Sequence, residues 1–268
     1  MVRDFDELVA EALSHPLVGW DFSWLGKRLQ EEPLPWDYPG MVTALGLSSP
    51  NLLDLGTGGG EWLASLARRP ARTVATEGWA PNVAVARERL VPLGVEVVAY
   101  EGPWDNVSQR ENEPPLPFPD GSFHLVSNRH ESFVARELAR VLVPGGRFVT
   151  QQVGGWAELR QLLGVPTPSP VQGTWSLAMA VDQLESAGLE VVDSGEARPV
   201  TSCTDVGALV WYLTALPWAF PDFQLDRYRD RLLELHRRSA AARIEFGEER
   251  FWVLAQKAGP SAPGPGPS

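Results

Sequence analysis

Apolar and polar positions along this chain follow two periods, and the switches between them predict its elements. Residues 4–14 set Phe5, Leu8, Val9, Ala12 and Leu13 at helical spacing, which predicts a short amphipathic helix. The run Leu52, Leu53, Leu55 has the length and bounds of a buried strand. It ends in Gly56, Gly58, Gly59 and Gly60, after which Trp62, Leu63, Leu66 and Ala67 fall on one helical face. Residues 73–77 (T-V-A-T-E) read as a second strand. Residues 81–93 read as a helix opened by a first-turn proline and ended near Gly94. Residues 95–100 (V-E-V-V-A-Y) are a third strand, and the polar, proline-rich stretch 106–119 is a loop. The fourth strand covers 123–127, followed by a helix over 131–142. That helix stops at Pro144-Gly145-Gly146, where the fifth strand begins and runs to Val153. Helices follow over 156–163 and 176–187, with a loop at 165–170 between them. A sixth strand covers 189–193 and runs on towards Val200. Residues 250–257 alternate like a final strand.

Strand, glycine turn and helix N-terminus together bring a nucleotide-like ligand against bare backbone. The spacing narrows the ligand. A dinucleotide fingerprint needs G-x-G-x-x-G. Counted from Gly56 its third glycine falls on Glu61, and counted from Gly58 it falls on Leu63. What stands here is Asp54-x-Gly56-x-Gly58-x-Gly60, with an acid before the glycines and another, Glu61, at the first helix turn. That pattern suits a cationic ligand and disfavours a nicotinamide oxidoreductase.

The segment resembles the first motif of the class I S-adenosylmethionine-dependent methyltransferases, in which the loop wraps the methionine part of the cofactor. Two further stretches are similar to that family. P-F-P-D-G-S-F at 117–123 looks like its fourth-strand entry, although His124 stands where members usually carry Asp. Pro144-Gly145-Gly146 resembles the turn before its fifth strand. The resemblance implies an α/β fold: a Rossmann-like, seven-stranded, mostly parallel sheet with helices on both faces and a final antiparallel strand. It covers about residues 50–155 closely and the remainder at fold level. It implies S-adenosylmethionine as cofactor, held by Asp54, Gly56, Thr57, Gly58 and Gly60. Glu77, 23 positions after Asp54, would accept hydrogen bonds from the ribose, and Gly78 and Trp79 would flank the adenine. An acid after the third strand would meet the adenine amino group; Glu101 is favoured over Asp105.

Strands of open α/β sheets meet ligands at their carboxyl ends. Asn128, Arg129, His130 and Glu131 therefore lie near the cofactor. His130 is the candidate general base, because its unperturbed pKa lies near neutrality. The competing reading is a charged, hydrogen-bonded helix start, Arg129 to Glu131, that orders the loop. Gln151 and Gln152 either bond substrate or merely close their strand.

The segments expected are an N-terminal helical and aromatic extension (1–50), the cofactor-binding α/β core (51–202), a helical cap insertion (203–246), the last core strand (247–258) and a disordered tail (259–268). Trp20, Phe22, Trp24, Trp36 and Tyr38 in the extension either pack on the core or line a substrate pocket. Trp211, Tyr212, Trp218, Phe220 and Phe223 in the insertion form either a lid or a packed helical pair. The helix 225–239, with Arg227, Arg229, Arg231, Arg237 and Arg238 interleaved with acids, reads as a solvated face.

A formal net charge of −11 argues against a broad nucleic-acid surface, so nucleic acid is not expected as a partner. One cysteine, Cys203, rules out an intrachain disulfide and a cysteine-rich metal site, and no metal is expected. No apolar run approaches the roughly 18 residues of a membrane helix, and the acidic amphipathic start is not a signal peptide, so a cytoplasmic protein is expected. Together these readings give a methyltransferase acting by in-line transfer on a small or medium organic acceptor. The alternatives are a non-catalytic S-adenosylmethionine-binding protein or an RNA methyltransferase.

Overall fold

The computed structural model describes residues 3–18, 21–107, 113–165, 175–217, 219–220 and 223–259. Trp20, Trp218, most of the loop at 165–170, part of the loop at 106–119 and nearly all of the tail at 259–268 lie outside them. In chain order the described elements begin with α1 (Phe5–Ser14), β1 (Leu29–Glu31), α2 (Tyr38–Leu47), β2 (Asn51–Leu55) and α3 (Glu61–Ser65). Next come β3 (Arg72–Glu77), α4 (Ala80–Leu90), β4 (Val95–Ala99), β5 (Phe123–Arg129), α5 (Ala135–Val141) and β6 (Leu142–Val153). Then follow α6 (Ala157–Leu163), α7 (Leu177–Ser186), β7 (Leu189–Ala197), β8 (Val200–Cys203) and α8 (Val206–Thr214). The series ends with α9 (Leu225–Ser239), β9 (Ile244–Gly247) and β10 (Arg250–Lys257).

The chain divides into two compact units. The larger comprises residues 36–153, 174–196 and 250–268. Its sheet has seven strands in the order β4-β3-β2-β5-β6-β10-β7. The pairs β2/β3, β2/β5, β3/β4 and β5/β6 are parallel, and β10 runs antiparallel to β6. This is the Rossmann-like sheet implied by the resemblance. Leu52, Leu53, Leu125, Val126, Phe148 and Val149 are buried on its central strands, so they read as continuous apolar runs. The chain leaves β2 towards β3 and β4, then returns to β5 on the other side. The gap between the ends of β2 and β5 is therefore the topological switch point where such sheets take ligands.

Tyr38 fastens this region. It is 1% exposed, and its hydroxyl donates to the Asn128 carbonyl at 2.8 Å while lying 3.2 Å from the Asn128 amide nitrogen. Removing that hydroxyl strands buried backbone groups. Tyr38→Phe is expected to lower stability by about 1–3 kcal/mol in urea denaturation. A shift below about 0.3 kcal/mol would remove the hydroxyl from the set of structural anchors.

The smaller unit comprises residues 1–35, 154–173 and 197–249. Its three strands, β1-β8-β9, form an antiparallel sheet. α8 is buried from Val206 to Leu213, and Asp205 caps it by accepting from the Ala208 N–H at 3.0 Å. Arg28 holds the same carboxylate through two hydrogen bonds, at 3.0 and 2.7 Å. α9 is amphipathic, with Leu232 and Leu235 inward and its arginines outward. Arg231 pairs with Glu234, and Arg229 with Asp6.

Several elements depart from the sequence reading. The expected boundary at residue 50 falls at Pro35, because Trp36 and α2 pack with the large sheet. The strand 189–193 extends to Ala197 and then stops. Val200 begins a strand of the small sheet instead, since β8 finds partners in β1 and β9. The helix expected over 131–142 starts only at Ala135, because Phe133 and Val134 are buried in non-helical chain ahead of it. Trp211, Tyr212 and Phe220 of the insertion are core residues of the small unit, 2%, 7% and 6% exposed, and Phe223 packs partly buried against them. Phe22 and Trp24 pack on Trp211 at ring-centroid distances of 5.3 and 5.6 Å. No helix among the described residues is long and apolar enough to cross a membrane.

Candidate active site

The glycine loop after β2 sits at the switch point. Gly56, Gly58 and Gly60 all have positive φ, of 66°, 61° and 79°. Gly56 is the most constrained: a Cβ there would lie 2.3 Å from Cγ and 2.5 Å from Cβ of Glu131. Glu131 therefore arches from the end of β5 over the loop. The loop is tied to β3 as well. The Thr57 N–H donates to the Thr76 carbonyl at 2.8 Å, and the Gly58 N–H donates to Glu77 Oε2 at 2.7 Å. The other oxygen of Glu77 accepts from the Trp79 N–H at 2.9 Å.

Three acids thus surround the loop. Asp54 is 2% exposed, and burial raises its pKa to about 6 despite a 2.7 Å hydrogen bond from the Ser127 hydroxyl. Burial raises Glu131 to about 7, with nearby Glu77 adding to the rise. Burial also raises Glu77, against the backbone N–H groups it accepts from. Among the described residues none of the three forms an ion pair, and no set of three or more His, Cys, Asp or Glu side chains is spaced to hold a metal ion.

Beyond β3, Gly78 lies against the chain after β4. A Cβ on it would come 2.9 Å from the Tyr100 carbonyl oxygen and 3.1 Å from Cα of Glu101. Glu101 is exposed beside it, whereas Asp105 accepts from the Val107 N–H at 2.6 Å within its own turn. Trp79 is 56% exposed at the start of α4. Asp54, Gly56, Thr57, Gly58, Gly60, Glu77, Gly78, Trp79 and Glu101 are thus carried on the carboxyl ends of β2, β3 and β4.

The end of β5 completes the arrangement. Asn128 is fully buried, pairs in register with Leu55, and accepts through Oδ1 from Thr150 Oγ1 and from Gln152 Nε2 at 2.6 Å. Arg129 is half-buried and faces Gln151 in the ladder. His130 adopts φ 62°, the left-handed region, alone among the described non-glycine residues. This turn sends Glu131 back over Gly56. Burial holds the His130 pKa well below its usual value, and the Arg129 and Arg250 charges lower it further. Its Nε2 lies 3.1 Å from Gln151 Nε2. Sequence reasoning placed Glu131 near the cofactor but not its contact with Gly56, because a left-handed histidine carries no local signal. It also missed the tie from Trp36 to Gln151, 115 positions apart. His124, at the expected Asp position, instead shares Asn51 Oδ1 through its backbone N–H at 2.8 Å and its ring at 3.1 Å.

A mostly parallel sheet with a glycine loop at its switch point defines the Rossmann-like class of α/β folds. Residues 53–150 match the family model for a methyltransferase domain. A Bacillus halodurans C-125 structure assigned to the methyltransferases is 16% identical, with 82% of this chain and 99% of that chain covered at a TM-score of 0.56. The YcgJ protein of Bacillus subtilis is 18% identical, with 83% and 98% covered at 0.52. The [4+2]-cyclase SpnF is 17% identical, with 83% and 81% covered at 0.51. At such identities these likenesses show the fold. No curated protein sequence matches the chain. Residues 53–150 are thus similar to a methyltransferase domain, and the neighbours share the fold.

Proposed function

We propose that the chain binds S-adenosylmethionine across the glycine loop and transfers its methyl group to a small or medium organic acceptor. One observation carries this reading: three carboxyls, the buried Asp54 and Glu77 and the partly buried Glu131, ring a glycine backbone without an ion-pair partner among the described residues. A ligand bearing a sulfonium and an ammonium supplies the missing positive charge. When bound, this cofactor brings its own leaving group, so the acceptor displaces it in line at the methyl carbon.

The protein's share is to bind, orient and exclude water. Gly56 and Gly58 let the ligand approach the backbone. Glu77 keeps lone pairs beyond those used by Gly58 and Trp79, and two ribose hydroxyls would donate to them. Gly78 and Trp79 would lie along the adenine, with Glu101 at its amino group. Asn128 and Arg129 would border the methionine end. The net charge of −11 supports a small acceptor over RNA.

The fold of the SpnF cyclase shows why binding and turnover need separate tests. Calorimetric titration with S-adenosylmethionine, S-adenosylhomocysteine and NADH is expected to give micromolar binding of the two sulfur nucleotides and none of NADH. Absence of binding by both would overturn the cofactor reading. Glu77→Ala is expected to weaken S-adenosylmethionine by roughly 10- to 100-fold, from about 1.5–3 kcal/mol of charged hydrogen bonding, and to lower the melting temperature as well, because the Gly58 and Trp79 N–H groups lose their acceptor. Unchanged affinity would remove Glu77 from the ribose site.

A further inference from the structure

Two indoles aim the two glutamines that close β6. Trp36 Nε1 donates to Gln151 Oε1 at 2.9 Å, and Trp175 Nε1 donates to Gln152 Oε1 at 3.1 Å. An indole nitrogen is a donor only, so each amide turns its oxygen to the indole and its NH2 away. The NH2 of Gln152 reaches Asn128 Oδ1 at 2.6 Å and the Glu131 carbonyl at 3.1 Å. The NH2 of Gln151 meets Nε2 of His130 at 3.1 Å. Both glutamines are nearly fully buried, at 4% and 2% exposure, so water does not substitute readily for these partners.

The chemistry at His130 follows from donor and acceptor counting. Nε2 faces an NH2 group, so it must offer a lone pair, and the neutral ring carries its proton on Nδ1. A second proton on Nε2 would set donor against donor. Turning the Gln151 amide to relieve that clash would set its NH2 against the Trp36 N–H. The backbone holds the ring in place: the His130 N–H donates to the Gln151 carbonyl at 2.8 Å. The charges bearing on the ring, Arg129 and Arg250, are both cationic and oppose a further proton.

We propose that Gln151, aimed by Trp36, is a positioning residue that locks His130 as a neutral Nδ1–H donor beside the glycine loop. The ring then serves as a hydrogen-bond donor, and the proton an acceptor loses leaves by another route. The proposal rests on the cofactor reading only for what that donor faces.

Long-range 1H–15N correlation spectra of the 15N-labelled full chain between pH 5 and 8 read the tautomer directly. The chain has four histidines. His130 is assigned by the signal lost in His130→Asn, a residue that tolerates positive φ. The expected spectrum shows a neutral Nδ1–H ring that does not titrate over this range. In Gln151→Glu the carboxylate accepts from both indole and ring, so the proton moves to Nε2 or the ring titrates above 6.5. If that variant fails to fold, Trp36→Phe serves instead: without the aiming donor, the Nε2–H form appears. A wild-type ring in the Nε2–H form, a ring titrating between pH 5 and 8, or a spectrum unchanged in both variants would overturn the lock. Calorimetry with S-adenosylhomocysteine on the same samples separates the two readings. A locked ring without binding overturns the cofactor reading alone, and binding with an unlocked ring overturns this one alone.

Discussion

Gly56→Ala is expected to cripple S-adenosylmethionine binding and to lower the stability of the free protein. Two costs combine at this position. An L-residue at φ 66° costs about 1–3 kcal/mol of backbone strain. The new methyl group also lands 2.3 Å from Glu131 Cγ, so Glu131 and the left-handed turn behind it must move. Affinity should fall roughly 100-fold or more, since each 1.4 kcal/mol is a factor of ten. Adding Glu131→Gly removes the obstructing side chain and leaves only the φ strain. Part of the lost melting temperature should therefore return in the double variant, a non-additivity that reports direct contact. Calorimetry and thermal melts on the four proteins, wild type, the two single variants and the double variant, decide it. Wild-type affinity in Gly56→Ala would mean that the ligand does not lie on this loop.

Affinity for S-adenosylmethionine is expected to fall steeply as the pH drops from 8 to 5.5. In the free protein Asp54 titrates at about 6 and Glu131 at about 7, each raised by burial. A cation binds the ionised carboxyls best, so binding expels their protons, and affinity declines as the pH falls through 7 and then 6. The slope approaches tenfold per pH unit for each group fully coupled to the ligand. S-adenosylhomocysteine lacks the sulfonium charge and should show a shallower slope. The stability of the free protein runs the opposite way. Each carboxyl holds its proton more tightly when folded, so its stabilising contribution is complete below about pH 4 and is lost as the pH rises through 6 to 7. Equal pH slopes for both nucleotides would show that these carboxyls do not sense the sulfonium.

The parts of the site legible in the sequence share one trait: their partners are near in sequence or fixed by strand order. Asp54, the glycines and Glu77 follow from a strand–turn–helix–strand pattern, and the parallel sheet places them side by side. What the sequence concealed depends on contacts without a local signature. Trp36 and Gln151 are 115 positions apart; by itself each reads equally as a substrate-facing residue or as one that only packs or closes a strand, and nothing local joins them. His130 carries a glycine-like φ without being glycine, so the turn that aims Glu131 is invisible to pattern reading. Alternation in Val200–Cys203 shows a strand but not which sheet claims it. The dense aromatics at both ends of the chain satisfied the lid reading and the packing reading equally. Only their burial against one another, as with Trp24 and Trp211, separates the two.

The sheet order also bears on how the protein is made. β10, the last strand among the described residues, is not an edge strand: it sits between β6 and β7. A ribosome therefore releases β2 to β6 and then β7 with the slot between β6 and β7 still empty. Until residues 250–257 emerge, β6 presents an unpaired row of backbone donors and acceptors beside buried Phe148 and Val149. Nascent chains are thus exposed to mispairing late in synthesis, when most of the apolar core already exists. A nonsense change between residues 154 and 249, after β6 and before β10, should yield insoluble protein instead of a shortened domain.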